Sequence, residues 1–566
     1  FRASTKRPLL AAARLAAILF IAAAIATGAA VLDAPMVLTQ APAARRAAPD
    51  RPPATGTRAD GFDGARVVVV SPDGQLRVLS SGFHSACDPD VSLDGQRVLF
   101  AGKKEAGDSW AVWEIGLDGA NLRRIIQETR DCRSPIYLGS LFTLDSPEPW
   151  FTVLYTATEN FLQEQGEGLA ASLYSVKLDG TESRRLTFNP SRSFDPIQMW
   201  DGRVLYASAR SLPGEDSARG RVSLFGIHID GTDHELYGAE QGKRIQRMPC
   251  SLANGRVVFV ESDAPAWDGA GQLAWVREQR PHHSYEPLTA DAQVAWLYPS
   301  PLTEQTILVS RRPADSQGTS GVFRFDTATR RAEPLFDSPD YDDVQAKIAR
   351  PRPLPDGRST VVDPKYKTGK LYGLNCYTAD PKLQTKLTPG AIQRLRLLEA
   401  VPVVGEGGAS LGETGSSLGR RLLGEAPVEA DGSFHIEIPA DVPVQLQALD
   451  SNGMALATCD WIWVKQKENR GCIGCHEDPE LIPENVFVAA LARPATRLTL
   501  PAKSRRSVAF REQVVPILRN KCGVSDCHAG PDTPLRLALG NDQDARKTYA
   551  ALLAAGQPHQ RPYVVP

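Results

Sequence analysis

The stretch NRGCIGCHEDPE sets Cys472 and Cys475 three positions apart, with His476 directly behind the second thiol. In a C-x-x-C-H pentapeptide two thiols can add across the vinyl groups on one porphyrin edge, and the adjacent histidine is carried under the ring to the iron. The same thiols could instead form a disulfide or half of a zinc site. A zinc site built on C-x-x-C needs a second Cys/His pair of similar spacing, and the chain has no second C-x-x-C. The spacing therefore favours covalent haem c, with Cys472 and Cys475 as attachment points and His476 as axial ligand.

A second, less regular motif lies in VAFREQVVPILRNKCGVSDCHAG, where four residues separate Cys522 from Cys527 and His528 follows. Phe510, Val514, Ile517 and Leu518 fall on one helical face, so an amphipathic helix should lead into it, as in small cytochrome c domains. The competing reading is a Cys522–Cys527 disulfide in an exported protein. Two haem c groups are expected, the second on Cys522 and Cys527 with His528 as axial ligand. Met36, Met199, Met248 and Met454 all precede Cys472, so within the given sequence no methionine follows either motif to fill a sixth position. His559 or a residue beyond Pro566 is a candidate for the second iron; the first has an open sixth site or one filled from the repeats described next.

The elements that must position these motifs begin with a repeat. CDPDVSLDGQRVLFAG (87–102) recurs as FDPIQMWDGRVLYAS (194–208), RMPCSLANGRVVFVES (247–262), LYPSPLTEQTILVSR (297–311) and ARPRPLPDGRSTVV (349–362), with a weaker copy over 140–157. Each copy is a turn, most often Asp-Gly or Asn-Gly, between alternating apolar runs, and in most units a second hairpin follows. Four strands per unit and six units of roughly fifty residues are the signature of a β-propeller. The strands ARVVVVS and QLRVLSS, with no hairpin mates of their own, should complete the last unit and close the ring.

The fold expected is mainly β: a six-bladed β-propeller over 65–380, a small β-sandwich-like domain over 381–470 ending in the strand CDWIWVKQ, and a small α-helical cytochrome c-like C-terminal domain. The first haem segment is read at 471–507 and the second haem domain at 508–566.

Lys6 and Arg7 precede an uncharged apolar run from Leu15 to Leu32, the layout of a signal peptide or an uncleaved membrane anchor over 1–32. Residues 33–64, rich in Ala, Pro and Arg, read as a disordered linker. Export puts the chain in the periplasm or outside the cell, where haem is attached to such motifs. Phe1 in place of a methionine and the uncapped end RPYVVP read as a piece of a longer chain. A net charge of −2 without a basic block argues against nucleic acid as a partner. No hydroxyl or thiol nucleophile is paired with a base in a recognisable motif, so hydrolysis ranks low. A redox partner protein or a small molecule is the expected counterpart, and any membrane contact would run through the N-terminal anchor.

The Asp-Pro/Asp-Gly repeats, VEADGSFHIEIPADVPVQLQALD, GCIGCHED and VVPILRNKCGVSDCH together resemble the hydrazine synthase alpha subunit-like family, most closely over 431–477. The resemblance implies a propeller beside two haem-bearing regions, subunit partners, and N–N bond formation from nitric oxide and ammonium. It also implies a tyrosine iron ligand four residues after the motif histidine, which itself turns to zinc. Here that position is Glu480, which argues against zinc and for His476 on the iron. Were zinc bound, the resemblance points to Cys250 and to His282 or His283, in RPHHSYEPL, as its partners. The leading reading is an extracytoplasmic dihaem c-type cytochrome that resembles this family and transfers electrons, with redox chemistry open at the first haem. The alternatives are an enzyme of hydrazine or nitrogen-oxide metabolism and a propeller binding module with structural haems.

Overall fold

The computed structural model describes residues 32–43, 62–143, 146–164, 168–210, 221–238, 241–379, 387–402, 418–475, 480, 486–508, 510–523, 528, 537, 547–549, 551–552, 555–556 and 561–562. The chain is mainly β. From Ser85 onward hairpin follows hairpin: Ser85–Val91, Arg97–Lys103, Ala111–Gly116 and Arg123–Arg124 pair antiparallel in chain order. The same meander opens again on Cys132–Thr143, Ser193–Gln198, Ile245–Ser251 and Val294–Pro301. The turns are set by their glycines. Gly95 sits at φ +75°, and a Cβ there would lie 2.7 Å from the Arg350 carbonyl carbon, so the LDGQ turn needs glycine both for its backbone and for its neighbour.

The opening strands touch one another in succession, and Tyr341–Ile348 touches both Val294–Pro301 and Ser85–Val91, which closes a ring. Tyr341–Ile348 heads a sheet whose other members come from the N-terminal side, in the order Met36–Pro42, Arg66–Val70 and Leu76–Val78. The linker reading of 33–64 is thus corrected in part. Met36–Pro42 is a buried strand between Arg66–Val70 and Tyr341–Ile348, and its apolar residues fill the slot that composition hid. The copy at 349–362 opens no meander of its own; Arg358–Thr360 instead runs parallel to Leu141–Thr143 as an added edge strand.

One residue in each opening strand has a positive φ: Asp88, Ser134, Asp195, Met248, Tyr298 and Gln345. The ladder register breaks at each, so these are bulges, where one extra residue bends the strand and re-aims a side chain. Four of the six pairs of neighbouring bulges are fastened to one another by a side chain on a backbone N–H. Gln345 Oε1 accepts from Asp88 N at 2.9 Å, Asp88 Oδ2 from Ser134 N at 3.0 Å, Asp195 Oδ2 from Met248 N at 3.1 Å, and Met248 Sδ from Tyr298 N at 3.3 Å. Arginines strengthen two of these joints, Arg133 on Asp88 at 2.7 Å and Arg247 on Asp195 at 2.9 Å.

Beyond the ring, two sheets share one apolar core. One runs in the order Asn469–Cys472, Thr368–Gly373, Phe434–Pro439, Thr496–Arg497; the other runs Ala455–Thr458, Val444–Leu449, Arg394–Pro402, Leu418–Pro427, Arg506–Ser507. Leu371, Leu397, Leu423, Ile436, Val444 and Leu498 meet between them. The boundaries differ from 381–470, because Thr368–Gly373 comes from before and Asn469–Cys472, Thr496–Arg497 and Arg506–Ser507 come from after. CDWIWVKQ is no strand. It makes a single bridge, Val444 to Ile462, because Trp461 and Trp463 are turned onto the ring instead.

Near the C-terminus a π-helical turn, Phe510–Val514, runs into a short α-helix, Val515–Lys521. The expected apolar face is only partly covered. Val515 is buried and Phe510 meets Tyr549 edge-on at 5.0 Å, whereas Ile517 is 60% exposed. The π-turn shifts the phase of the helix, so Val515 takes the inward position that an uninterrupted helix gives to its neighbours. The apolar run read as a signal or anchor lies outside the described residues, apart from Leu32; among the described residues no helix is long and apolar enough to cross a membrane.

Candidate functional site

The first Cys motif is placed by a strand. Asn469–Cys472 runs parallel to Thr368–Gly373, with Cys472 opposite Gly373. The turn that follows is tied to the segment after Gly373: Leu374 N donates to Cys472 O at 3.0 Å, Asn375 N to Ile473 O at 3.1 Å, and Cys475 N to Thr378 O at 3.0 Å. Gly474 is required there, since a Cβ would fall 2.0 Å from Thr378 O. Cys472 and Cys475 are both half-buried against the sandwich core, so one side of the turn is fixed by packing. His476 lies outside the described residues.

That sheet is locked to the ring just before the motif. Trp463 is fully buried, stacks on His234 at 4.1 Å and donates from Nε1 to Gly231 O at 3.3 Å. Glu468 accepts from Asp233 N at 3.0 Å and from Lys465 N at 2.5 Å, and Arg470 donates to the His234 and Trp463 carbonyls. Trp461 Nε1 and Arg420 both bind Glu164, at 2.6 and 2.7 Å. Burial holds the His234 pKa well below the ordinary histidine value, with the positive charge of Arg470 acting in the same direction. The imidazole is therefore neutral in its aromatic stack. Burial also pushes Asp460 up to about 6.

On the far side of the motif Glu480 reaches the ring. Its Oε1 accepts from His282 N at 2.7 Å and its Oε2 pairs with Arg280 Nε at 3.2 Å. The receiving loop is braced from within, with Arg277 N donating to Ser284 Oγ at 2.7 Å and the Ser284 hydroxyl to Arg280 O at 2.5 Å. Arg280 and His283 also line an open cleft of about 400 Å³ with Trp275, Arg277 and Tyr285. Glu480 and the His282–His283 loop are thus neighbours, a proximity that sequence spacing alone could not reveal across 198 positions.

Cys250 is elsewhere in character. It is a core residue among Met248, Leu252, Val258 and Trp275, and burial pushes its thiol up to about 12, so it is a protonated, apolar side chain. Among the described residues no three His, Cys, Asp or Glu side chains converge to hold a metal ion. Cys459 packs near the first motif: burial, then its Leu446 N–H···S bond and the nearby Cys475 and Cys472, set its thiol pKa, pushed up to about 12.

The second motif is partly visible. Cys522 ends the short helix, its N–H donating to Leu518 O at 2.8 Å, and its own carbonyl accepts from His528 N at 3.0 Å. The chain therefore turns back so that Cys522 and His528 adjoin. Cys527 and His559 lie outside the described residues.

The fold and the first motif agree with comparisons to known proteins. Residues 390–477 match the family described as the hydrazine synthase alpha subunit middle domain. Hydrazine synthase subunit alpha of Kuenenia stuttgartiensis is 25% identical over 515 residues, 73% of this chain and 62% of the relative. The chain therefore spans less than two thirds of that curated relative. A solved Kuenenia stuttgartiensis hydrazine synthase shares the fold, with a TM-score of 0.75 at 21% identity over 90% of this chain and 82% of that one. Over residues 390–477 the chain thus carries a region of the hydrazine synthase alpha subunit middle-domain family, and its fold is similar to that of the solved hydrazine synthase.

Proposed function

We propose that the chain is an extracytoplasmic c-type cytochrome subunit carrying two covalent haems, and that it moves electrons and supports redox chemistry at the first. The observation that carries this reading is the Cys472–Cys475 turn, pinned to Leu374–Thr378 and half-buried where a sandwich meets a ring. The residues present fit the group. Two thiols sit at attachment spacing, one side of the turn is rigid, and the ring side is closed by the Glu480 contacts. A haem held there supplies one-electron chemistry, while the protein supplies its orientation and dielectric. Trp463, Glu468 and Arg470 fix the strand that carries Cys472, and Gly474 fixes the spacing of the two thiols.

In this reading the ring is a six-bladed propeller, since its meanders touch in ring order and the N-terminal strands join the last. The region around Cys522, Cys527 and His528 is the second haem domain. Exposed Val486, Phe487, Val508 and Ile517 form apolar surface in the same C-terminal part of the chain, which suits a haem face or a partner subunit.

A second reading is hydrazine synthesis itself, as the name of the Kuenenia stuttgartiensis relative states for that protein. Glu480 weighs against it. Its carboxylate oxygens are engaged by Arg280 and His282 N, and a carboxylate lacks the phenolate character of the tyrosine that the resemblance calls for. Electron paramagnetic resonance of the haem-loaded, exported protein tests both readings. Histidine ligation at the first iron supports the cytochrome; an oxygen-ligated high-spin signal with stoichiometric zinc supports the synthase.

A further inference from the structure

The run from Cys475 to Glu480 is anchored at both ends. Cys475 N donates to Thr378 O at 3.0 Å on the sandwich, and Glu480 Oε1 accepts from His282 N at 2.7 Å on the ring. An extended chain covers at most about 18 Å over five residues. The short run that carries His476 therefore has little freedom beyond what its two anchors allow.

The ring-side anchor stands on a rigid base. Arg280 N donates to Arg277 O at 3.1 Å, and the Arg280 carbonyl accepts from His283 N at 3.3 Å and from the Ser284 hydroxyl at 2.5 Å. Ser284 Oγ in turn accepts from Arg277 N at 2.7 Å, and the Tyr285 hydroxyl donates to Glu261, on the strand Arg256–Ser262, at 2.8 Å. From this base the Arg280 side chain reaches out to Glu480, Nε to Oε2 at 3.2 Å. The two partners are unequally placed, with the Arg280 side chain 66% exposed and that of Glu480 12% exposed. A carboxylate so far out of water needs donors, and the His282 N–H and the Arg280 guanidinium supply them. An arginine standing mostly in water adds little to the stability of the ring that carries it, so what it contributes is local: it holds Glu480.

We propose that Arg280 is a positioning residue, and that with Glu480 it forms a salt-sensitive latch by which the ring holds the segment after Cys475. The latch sets how firmly that segment lies against the first haem. Its effect on the iron rests on the cytochrome reading; the closure itself does not. The latch has two unequal halves. The bond from His282 N is short and lies on the sheltered carboxylate, whereas the ion pair stands in water and weakens as the screening length falls from about 10 Å at 0.1 M salt to about 3 Å at 1 M.

The test is hydrogen exchange of the haem-free full chain, read by mass spectrometry at low salt and at about 1 M salt. In wild type the peptide spanning 473–481 should exchange about two to five times faster at high salt, while the peptide spanning 515–523 keeps its rate. Arg280→Gln should show the faster rate at both salt concentrations, and Arg280→Lys should restore most of the protection. Glu480→Ala removes both halves and should speed exchange about tenfold. The double variant Arg280→Gln/Glu480→Ala should be no faster than Glu480→Ala, because Arg280 acts through Glu480. The melting temperature of Arg280→Gln should stay within about 1 °C of wild type. In the haem-loaded protein Arg280→Gln should shift the midpoint potential of the first haem and leave that of the second. Unchanged exchange in Arg280→Gln, additive effects in the double variant, or faster exchange throughout the ring would overturn the proposal. So would an unshifted potential in a variant whose 473–481 exchange has risen, since the latch would then hold a segment that does not bear on the haem. The predicted exchange in a chain that takes up no porphyrin would uphold the closure and refute the cytochrome reading instead.

Discussion

The two Cys motifs are held in opposite ways. Cys472 ends a strand in a sheet with Trp463 and Glu468 anchored on the ring just before it, and the turn to Cys475 is pinned by three backbone hydrogen bonds. Cys522 ends a short helix on which only Val515 is buried, and His528 N bonds back to Cys522 O. On the proposed reading, the same attachment chemistry is built into a β frame in one place and left on a lightly packed helix in the other. Only the first is then sensitive to changes made far from the thiols.

The largest test of that difference is Trp463→Ala. Emptying a fully buried tryptophan at the junction should cost about 3–5 kcal/mol, measured by denaturant unfolding, and should split one transition into two as the sandwich leaves the ring. Covalent haem at Cys472 and Cys475 should fall with it, while Cys522 and Cys527 keep theirs. Gly474→Ala comes next. A methyl forced against Thr378 O should cost about 1–3 kcal/mol and lower haem incorporation at the first motif alone, as read by peptide mass mapping.

A smaller effect should appear with pH at the same junction. His234 is held below the ordinary value of 6.5 by burial, so below that pH the unfolded chain binds protons that the folded chain does not. Its share of stability is present above 6.5 and is lost as pH falls. His234→Phe keeps the stack and removes the loss, so its melts should match wild type near neutrality and exceed it in acid. Asp460, pushed up to about 6, works in the opposite direction: the folded chain takes up the proton first, and stability rises as pH falls from about 6 towards 3.8. Asp460→Asn should therefore steepen the acid loss relative to wild type. The smallest effect is expected at Ile517→Ser, within about 0.5 kcal/mol for an exposed side chain when the domain carries no haem.

The repeat was legible in the sequence because its turns carry local chemistry: Asp94-Gly95, Asp201-Gly202 and Asn254-Gly255 can be recognised without knowing what they pack against. Met36–Pro42 was not, since its partner Tyr341–Ile348 lies some three hundred positions away and only that pairing makes MVLTQAP a strand. The Asp-Pro pairs were visible as a repeated spelling, but their purpose, a carboxylate on a positive-φ bulge gripping the next unit, appears only in three dimensions. At the site, the spacing of Cys472 and Cys475 was readable from five consecutive residues. The contacts of Glu480 with Arg280 and His282 join segments about two hundred positions apart, and no periodicity in either predicts them. Cys250 shows a related gap: that it packs among Met248, Leu252, Val258 and Trp275 could not be read from its type alone.

The central claim is covalent haem on the framed turn. Intact mass measurement of the chain exported alongside the haem-attachment machinery, with peptide mapping of Cys472→Ser/Cys475→Ser and Cys522→Ser/Cys527→Ser variants, tests it directly. Two added porphyrins in wild type, one in each double variant, and the Gly471–His476 peptide carrying haem are the predicted result. A wild-type chain of unmodified mass, or one whose 472–475 peptide carries a disulfide and no porphyrin, would contradict it.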